Sequence, residues 1–329
     1  MKAPLAVVVL AAGAGTRMKS ALPKVLHPLA GWPMVRHVIE NAKRLKPARI
    51  VGVVAPGADA VAAAFAPHPT VVQRQALGTA HAAKAALPAL KGHRGPVLVV
   101  FADAPLVTAA SLKKLVESCR RARAAVGVLG FTASDPAPYG RLIVKGGVLE
   151  RIVESRDCDA EQRKVTFCNS GVMCIDGSQI ERLLGAIRNN NVKKEFYLTD
   201  AVAIARAAGG TAIAVAGDEA EFQGVNSRTE LAVAEKVMQG RLRAKALADG
   251  VLMTDPETVW LAADTRFAAD VSVGPCVRFG TGVSISEGSE IKAFCDVEGV
   301  RIGRGVLVGP FARIRPGSVV ADKVHIGNF

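Results

Sequence analysis

From Val273 to Ile326 an aliphatic or aromatic residue returns every six positions. The series is Val273, Phe279, Ile285, Ile291 and Val297, then, after a slip of one residue, Ile302, Val308, Ile314, Val320 and Ile326. Glycine and proline fall between them, at Gly274-Pro275, Gly303, Gly309-Pro310, Pro316-Gly317 and Gly327. Helices repeat at about 3.6 residues and ordinary strands at two, so neither generates a period of six. Very short strands joined by tight turns do, when the chain winds as a left-handed parallel β-helix and each sixth side chain points into a narrow prism. An irregular β-sandwich is the competing reading, and it has no reason to keep ten positions in phase.

The first two hundred or so residues follow a different grammar. Leu5 to Leu10, Ile50 to Val54 and Val97 to Phe101 are short apolar runs of the kind buried in parallel sheets. Thr70 to Gln73 adds a shorter strand. Between them lie helical patterns: Val35, Val38, Ile39, Ala42 and Leu45; the alanine-rich Asp59 to Phe65; and Ala80 to Leu87. Thr108 reads as the N-cap of a helix that turns Leu112, Leu115, Val116 and Cys119 inward. This alternation predicts a Rossmann-like α/β domain with a mostly parallel, doubly wound sheet and its crevice at the strand carboxyl ends. Ser227 to about Asp249 reads as one long helix. At 329 residues the chain exceeds one ordinary core. The expected division is 1–226 for the α/β domain, 227–250 for a helical linker and 251–329 for a partial β-helix.

Chemistry gathers after the first strand, in Leu10-Ala11-Ala12-Gly13-Ala14-Gly15-Thr16-Arg17-Met18, with Pro23-Lys24 close behind. Gly13 and Gly15 let the backbone bend and present N–H groups to an anion. Arg17 brings a planar, permanently charged fork and Lys24 a compact, mobile charge, both suited to phosphate. A Walker loop would end in Gly-Lys-Ser/Thr, which is missing. A dinucleotide fingerprint would need glycine where Met18 stands and an acid ending the next strand, where Val53-Val54-Ala55-Pro56 stands. Asp103 closes another buried strand at the same sheet edge. Thr108 lies closer to the following helix as a cap, which leaves the Asp103 carboxylate for a hard cation such as Mg2+.

Composition narrows the partners. The net charge is +13, but the cations are dispersed and no aromatic stacking array accompanies them, which argues against nucleic acid. No apolar run reaches the length of a membrane span. Met1 to Pro4 leads into a strand without a signal-peptide pattern, so a cytoplasmic location is expected. The six cysteines, Cys119, Cys158, Cys168, Cys174, Cys276 and Cys295, show no zinc spacing and read as buried free thiols.

The loop L-A-A-G-x-G-T-R-M with its following P-K resembles the signature of sugar-1-phosphate nucleotidylyltransferases. With the helix-to-prism order, the whole chain resembles the bifunctional bacterial N-acetylglucosamine-1-phosphate uridylyltransferase/glucosamine-1-phosphate acetyltransferase family. That resemblance implies a nucleotide-diphospho-sugar transferase fold. It also implies synthesis of UDP-N-acetylglucosamine from UTP and N-acetylglucosamine 1-phosphate, for cell-envelope precursors. It assigns catalytic roles to Arg17 and Lys24, and nucleotide contacts to Leu10, Ala11, Ala12, Gly13, Phe101, Ala102 and Asp103. Gln73, Gly78 and Thr79 of the Q-x-x-x-L-G-T segment would take the uracil, although Gly78-Thr79 alone is no more than a helix start. Asp103 would hold Mg2+ together with Asn226 of Gly224-Val225-Asn226.

For the sugar, the resemblance implies Gly140 of Tyr139-Gly140-Arg141, Glu154, Asn169, Tyr197, Thr199 and Asn226. The chain departs from the family pattern at Phe101-Ala102, at Phe196 and at Lys193-Lys194. In the family the acetyltransferase residues and a trimer of prisms lie further along. The resemblance therefore implies a C-terminally truncated form lacking the second site, with a homotrimer weakened by fewer coils. Two other functions stay open. One is a nucleotidylyltransferase for another base or sugar, although those families tend to begin G-G-x-G-T-R-L. The other is a non-catalytic regulatory subunit, although those tend to lose the cations and the metal-binding Asp retained here as Arg17, Lys24 and Asp103.

Overall fold

The computed structural model describes residues 3–328. The chain divides into two compact units, one comprising the residues up to His27 and Met34–Glu230, the other Pro28–Pro33 and the chain from Leu231 onward.

In the first unit, nine strands form one sheet: β1 (Ala6–Leu10), β2 (Arg49–Val54), β3 (Thr70–Val72), β4 (Pro96–Phe101), β5 (Val126–Thr132), β6 (Arg141–Lys145), β7 (Val148–Val153), β8 (Phe167–Asp176) and β9 (Ala212–Ala216). The order is β9-β5-β8-β4-β1-β2-β3, with β6 paired to β8 and β7 paired to β6. β1 runs parallel to β2 and β4, and β2 to β3, whereas β8 runs antiparallel to β4 and β5. Side chains alternate across the sheet, so each central strand feeds both faces. Val7, Val9, Leu98 and Val100 enter one core; Val8, Leu10, Val97 and Val99 enter the other. Burying such a side chain is worth about 1.5–3 kcal/mol, which explains the near-continuous apolar runs.

The helices follow the anticipated order with shifted ends. Thr108 caps Ala109–Ala122 by accepting the Ser111 N–H at 3.2 Å, and Leu112, Leu115, Val116 and Cys119 are buried. The Asp59 helix ends at Ala63, leaving Phe65 to fill the core. Thr79–Ala85 gives way to a 3-10 turn, Leu87–Leu90, because Pro88 lacks an N–H and disfavours helical backbone before it. Five cysteines are buried; Cys276, read as buried from the sequence, is exposed.

The second unit contains the long helix Arg228–Ala248 from Leu231 onward. Its buried contacts come from Ala234, Gln239 and Ala246, while Leu247 is exposed. Gln239 donates to the Leu261 carbonyl at 2.7 Å and accepts from the Leu261 N–H at 2.9 Å. Beyond it stands the partial left-handed parallel β-helix. Two-residue strands stack into three sheets, pairing Val273 with Ile291, Phe279 with Val297 and Ile285 with Ile302. The one-residue slip between Val297 and Ile302 shortens a coil without moving any side chain to another face. A second inward column, absent from the period-six reading, lies two residues before the first: Val271, Val277, Val283, Ser289, Cys295, Val300, Val306 and Ala312 are all buried. Ser289 is tolerated there because its hydroxyl donates to Gly303 O at 2.8 Å and accepts from Val306 N at 3.1 Å.

Candidate active site

A cavity of about 300 Å³ opens at the carboxyl ends of β1 and β4 in the first unit. Leu10, Ala11, Ala12 and Gly13 line it from the loop after β1; Gln73, Gly78 and Thr79 come from the segment after β3; Phe101 and Asp103 come from the end of β4. Lys24 and Glu195 complete the polar lining. Ala102 is fully buried and donates its N–H to Leu10 O at 3.0 Å, joining the two strand ends. Arg17 is exposed on the short turn Thr16–Met18, whose buried residue is Met18, and lies outside the cavity lining.

Lys24 is the electrostatic centre. Its ammonium forms a salt bridge with Asp103 and donates to Asn226 Oδ1 at 3.0 Å. The lysine stem passes beneath Gly15, where an added Cβ would sit 2.5 Å from the Lys24 Cβ; Gly15 also holds a left-handed φ of 62°. Asn226 is fixed by backbone. Val225 N donates to Asp103 O at 2.8 Å, and Asn226 N and Ser227 N both donate to Glu230 Oε2. Ser227 Oγ accepts the Glu230 N–H at 3.2 Å. Ser227-Arg228-Thr229-Glu230 is thus a helix capping box whose carboxylate also holds Asn226. Glu230 is not among the residues expected above, although the S-x-x-E spacing announces it.

Two hard oxygens, Asp103 Oδ2 and Asn226 Oδ1, therefore face one positive point. One carboxylate and one amide oxygen suit a hard divalent cation that completes its shell with water and phosphate oxygens. Among the described residues no group of three or more His, Cys, Asp or Glu side chains is arranged for a metal.

On the wall formed by Gln73, Gly78 and Thr79, Gly78 has φ 112° and an added Cβ would meet Phe196 O at 2.6 Å, so glycine is required for the close approach. Ala80 N donates to Phe196 O, Phe196 N to Leu77 O, and Leu198 N to Thr79 Oγ1 at 2.9 Å. Gln73 is buried and its Nε2 donates to Gly78 O at 3.1 Å. Lys84 lies over the Phe196 ring at 5.4 Å, a cation–π contact at a position where the family resemblance suggests tyrosine.

Of the sugar-assigned residues, Asn226 sits with Lys24, while Gly140, Glu154, Asn169 and Thr199 form a second cluster. Asn169 N donates to Gly140 O at 2.8 Å, and Asn169 Oδ1 accepts the Gly171 N–H at 2.9 Å. Asn169 pairs with Gly130 on β5, and the β8 register shifts just after it, before Met173. Thr199 donates to Glu154 Oε1 at 3.0 Å, and Glu154 Oε2 lies 3.5 Å from where a Gly140 Cβ would stand. Burial pushes the Glu154 carboxyl upward. Burial, then the Glu154 and Asp157 charges, raise Asp200 to about 6. Tyr197 is pushed up to about 12 by burial and the nearby carboxylates.

Comparison with known proteins agrees with this architecture. Residues 7–169 match the family model described as a MobA-like NTP transferase domain. The chain is 51% identical over 326 residues to the bifunctional protein GlmU of Paramagnetospirillum magneticum, covering 99% of this chain and 73% of that protein. It is 53% identical over 298 residues to the bifunctional protein GlmU of Rhodospirillum rubrum, covering 90% and 67%. A Bacillus anthracis crystal structure assigned as a glucose-1-phosphate thymidylyltransferase aligns with a TM-score of 0.55 at 17% identity, over 70% of this chain and 94% of that one. That distant likeness bears on the fold alone. Half-identity sustained along almost the entire chain bears on more: the protein belongs to the bifunctional GlmU family and is a nucleotidyltransferase.

Proposed function

We propose that this crevice makes UDP-N-acetylglucosamine and pyrophosphate from UTP and N-acetylglucosamine 1-phosphate. The observation that carries the reading is that Lys24 and Asp103, together with Leu10 to Ala14 of the glycine loop, line one cavity, with Asn226 bonded to the Lys24 ammonium. The sugar phosphate attacks the α-phosphorus of UTP in line, forming one P–O bond as the bond to pyrophosphate breaks. The nucleophile is already anionic, so no base must remove a proton. Repulsion between polyanions is the obstacle, and fixed positive groups are the remedy.

Lys24 balances charge at the phosphates, the Ala11–Gly13 backbone approaches them, and exposed Arg17 offers a fork for the departing pyrophosphate. Asp103 and Asn226 would hold Mg2+, which when bound neutralises phosphate charge. With Gln73 Nε2 engaged by Gly78, the opposite side of its amide is an acceptor for the uracil N3–H; the Thr79 hydroxyl, accepting from Leu198, retains a proton to donate to a carbonyl. Gly140 backbone, Glu154 and Asn169 take the N-acetyl sugar, with Thr199 orienting Glu154 and Tyr197 packed beside it.

For the intact assembly we infer a homotrimer through the prisms. Exposed Phe294 and Phe311 stack at 5.0 Å on consecutive coils, giving that surface apolar area to bury. The buried free thiols accord with a cytoplasmic setting. A pyrophosphate-release assay across UTP, dTTP and GTP, each with several sugar phosphates, tests the function. The reading requires the pair UTP and N-acetylglucosamine 1-phosphate to be preferred and chelation of divalent cations to stop the reaction. Preference for another pair would replace it.

A further inference from the structure

We propose that the Lys24 ammonium competes with the divalent cation for Asp103 Oδ2 and Asn226 Oδ1, so that cation affinity stays low until the nucleotide phosphates draw Lys24 away. This rests on the reading of Asp103 and Asn226 as cation ligands. The same two oxygens that would bind the metal are the ones Lys24 engages, by a salt bridge and by a 3.0 Å hydrogen bond. The Lys24 side chain is only 9% exposed and that of Asp103 22%, so water cannot readily substitute for either partner.

The oxygens and the ammonium differ in freedom. Asp103 and Asn226 are tied together by the Val225 N–H and pinned by Glu230. The Lys24 stem crosses Gly15 from Cβ to Cδ, and its charge sits at the end of a four-carbon arm with several rotatable bonds. It also lines the cavity, within reach of an entering polyanion. Phosphate binding and release of the oxygen pair are then one movement of one side chain. A site that is competent for only a fraction of the time binds its ligand more weakly by that fraction.

Mn2+ binding, read from the electron paramagnetic resonance signal of the free ion, tests this on the full chain without nucleotide. Lys24→Met keeps an apolar stem over Gly15 and removes the charge; Lys24→Gln serves as a second uncharged variant. Both should bind Mn2+ about tenfold or more tightly than the unaltered protein. Adding Asp103→Ala to Lys24→Met should abolish that gain. Equal or weaker binding by both single variants overturns the competition. If Asp103→Ala nevertheless weakens Mn2+ binding by the protein–UTP complex, beyond the Mn2+ held by UTP itself, the cation site stands and only the competition falls. A gain in Lys24→Met that persists in the double variant overturns both.

Discussion

Around Lys24, unlike charges and a neutral amide meet; around Glu154, like charges crowd. Lys24 has Asp103 and Asn226 as partners. Burial raises the Glu154 carboxyl, the Thr199 hydrogen bond and then Lys193 oppose that rise, and the Asp157 and Glu195 charges add to it. The first cluster gains by meeting a polyanion, which supplies the negative charge that its cations can share. The second is suited to neutral hydroxyl and amide donors, which satisfy a buried carboxylate without adding charge. On the proposed function, the sign of the field would differ between the nucleotide phosphates at the first cluster and the neutral sugar hydroxyls at the second.

Five substitutions probe that contrast. The largest effect is expected at Lys24→Ala, which removes the permanent countercharge. Its kcat/KM in pyrophosphate release should fall on the order of 100-fold or more, with the fold intact by circular dichroism. Next, Glu154→Ala should raise KM for N-acetylglucosamine 1-phosphate by about tenfold or more, the cost of losing a hydrogen bond to a charged group. Its KM for UTP should stay near normal. A matched rise in both constants would mean the two clusters are not separate. Gln73→Ala and Thr79→Ala should each reduce the preference for UTP over CTP by roughly tenfold, measured as a ratio of kcat/KM values.

The smallest effect concerns Asp200. Its folded pKa is raised to about 6 from an ordinary 3.8, so the native state holds a proton more tightly than the unfolded chain. Its ionisation costs stability fully above about pH 6, and the cost fades as pH falls towards 4. Asp200→Asn should therefore raise stability at pH 7.5 by on the order of 1 kcal/mol, after allowance for partial solvent screening. The gain should shrink at pH 5, as followed by thermal midpoints. A gain that is constant with pH would remove charge crowding as its cause.

Much of this contrast is legible in the residues. Period and turn chemistry reveal the prism because each sixth side chain has only one place to go. The glycine loop, Lys24 and Asp103 are legible because strand ends in a parallel sheet share one edge. Neighbourhoods between distant segments are not. Nothing local places Thr199 on Glu154 or Phe196 against Gly78, since those contacts depend on how the connections close over the sheet. Arg17 shows the reverse. Its motif suggests a phosphate-binding cation, and the short turn buries Met18 and leaves the arginine exposed, outside the cavity lining. Glu230 sits between these cases, visible as a capping residue while its second role on Asn226 needed the fold. The inward column at Val271, Val277 and Val283 was hidden because Ser289 and Cys295 interrupt its apolar pattern.

Turnover of Asp103→Ala beside Glu154→Ala, with UTP and N-acetylglucosamine 1-phosphate both raised to saturation, tests the division most directly. Both proteins should first be shown to be folded. The predicted result is that Glu154→Ala recovers most of its pyrophosphate release as the sugar phosphate is raised. Asp103→Ala should remain down on the order of 100-fold or more at any substrate concentration. Near-normal turnover by Asp103→Ala would contradict the account, because the carboxylate at the end of β4 would then have no part in the transfer.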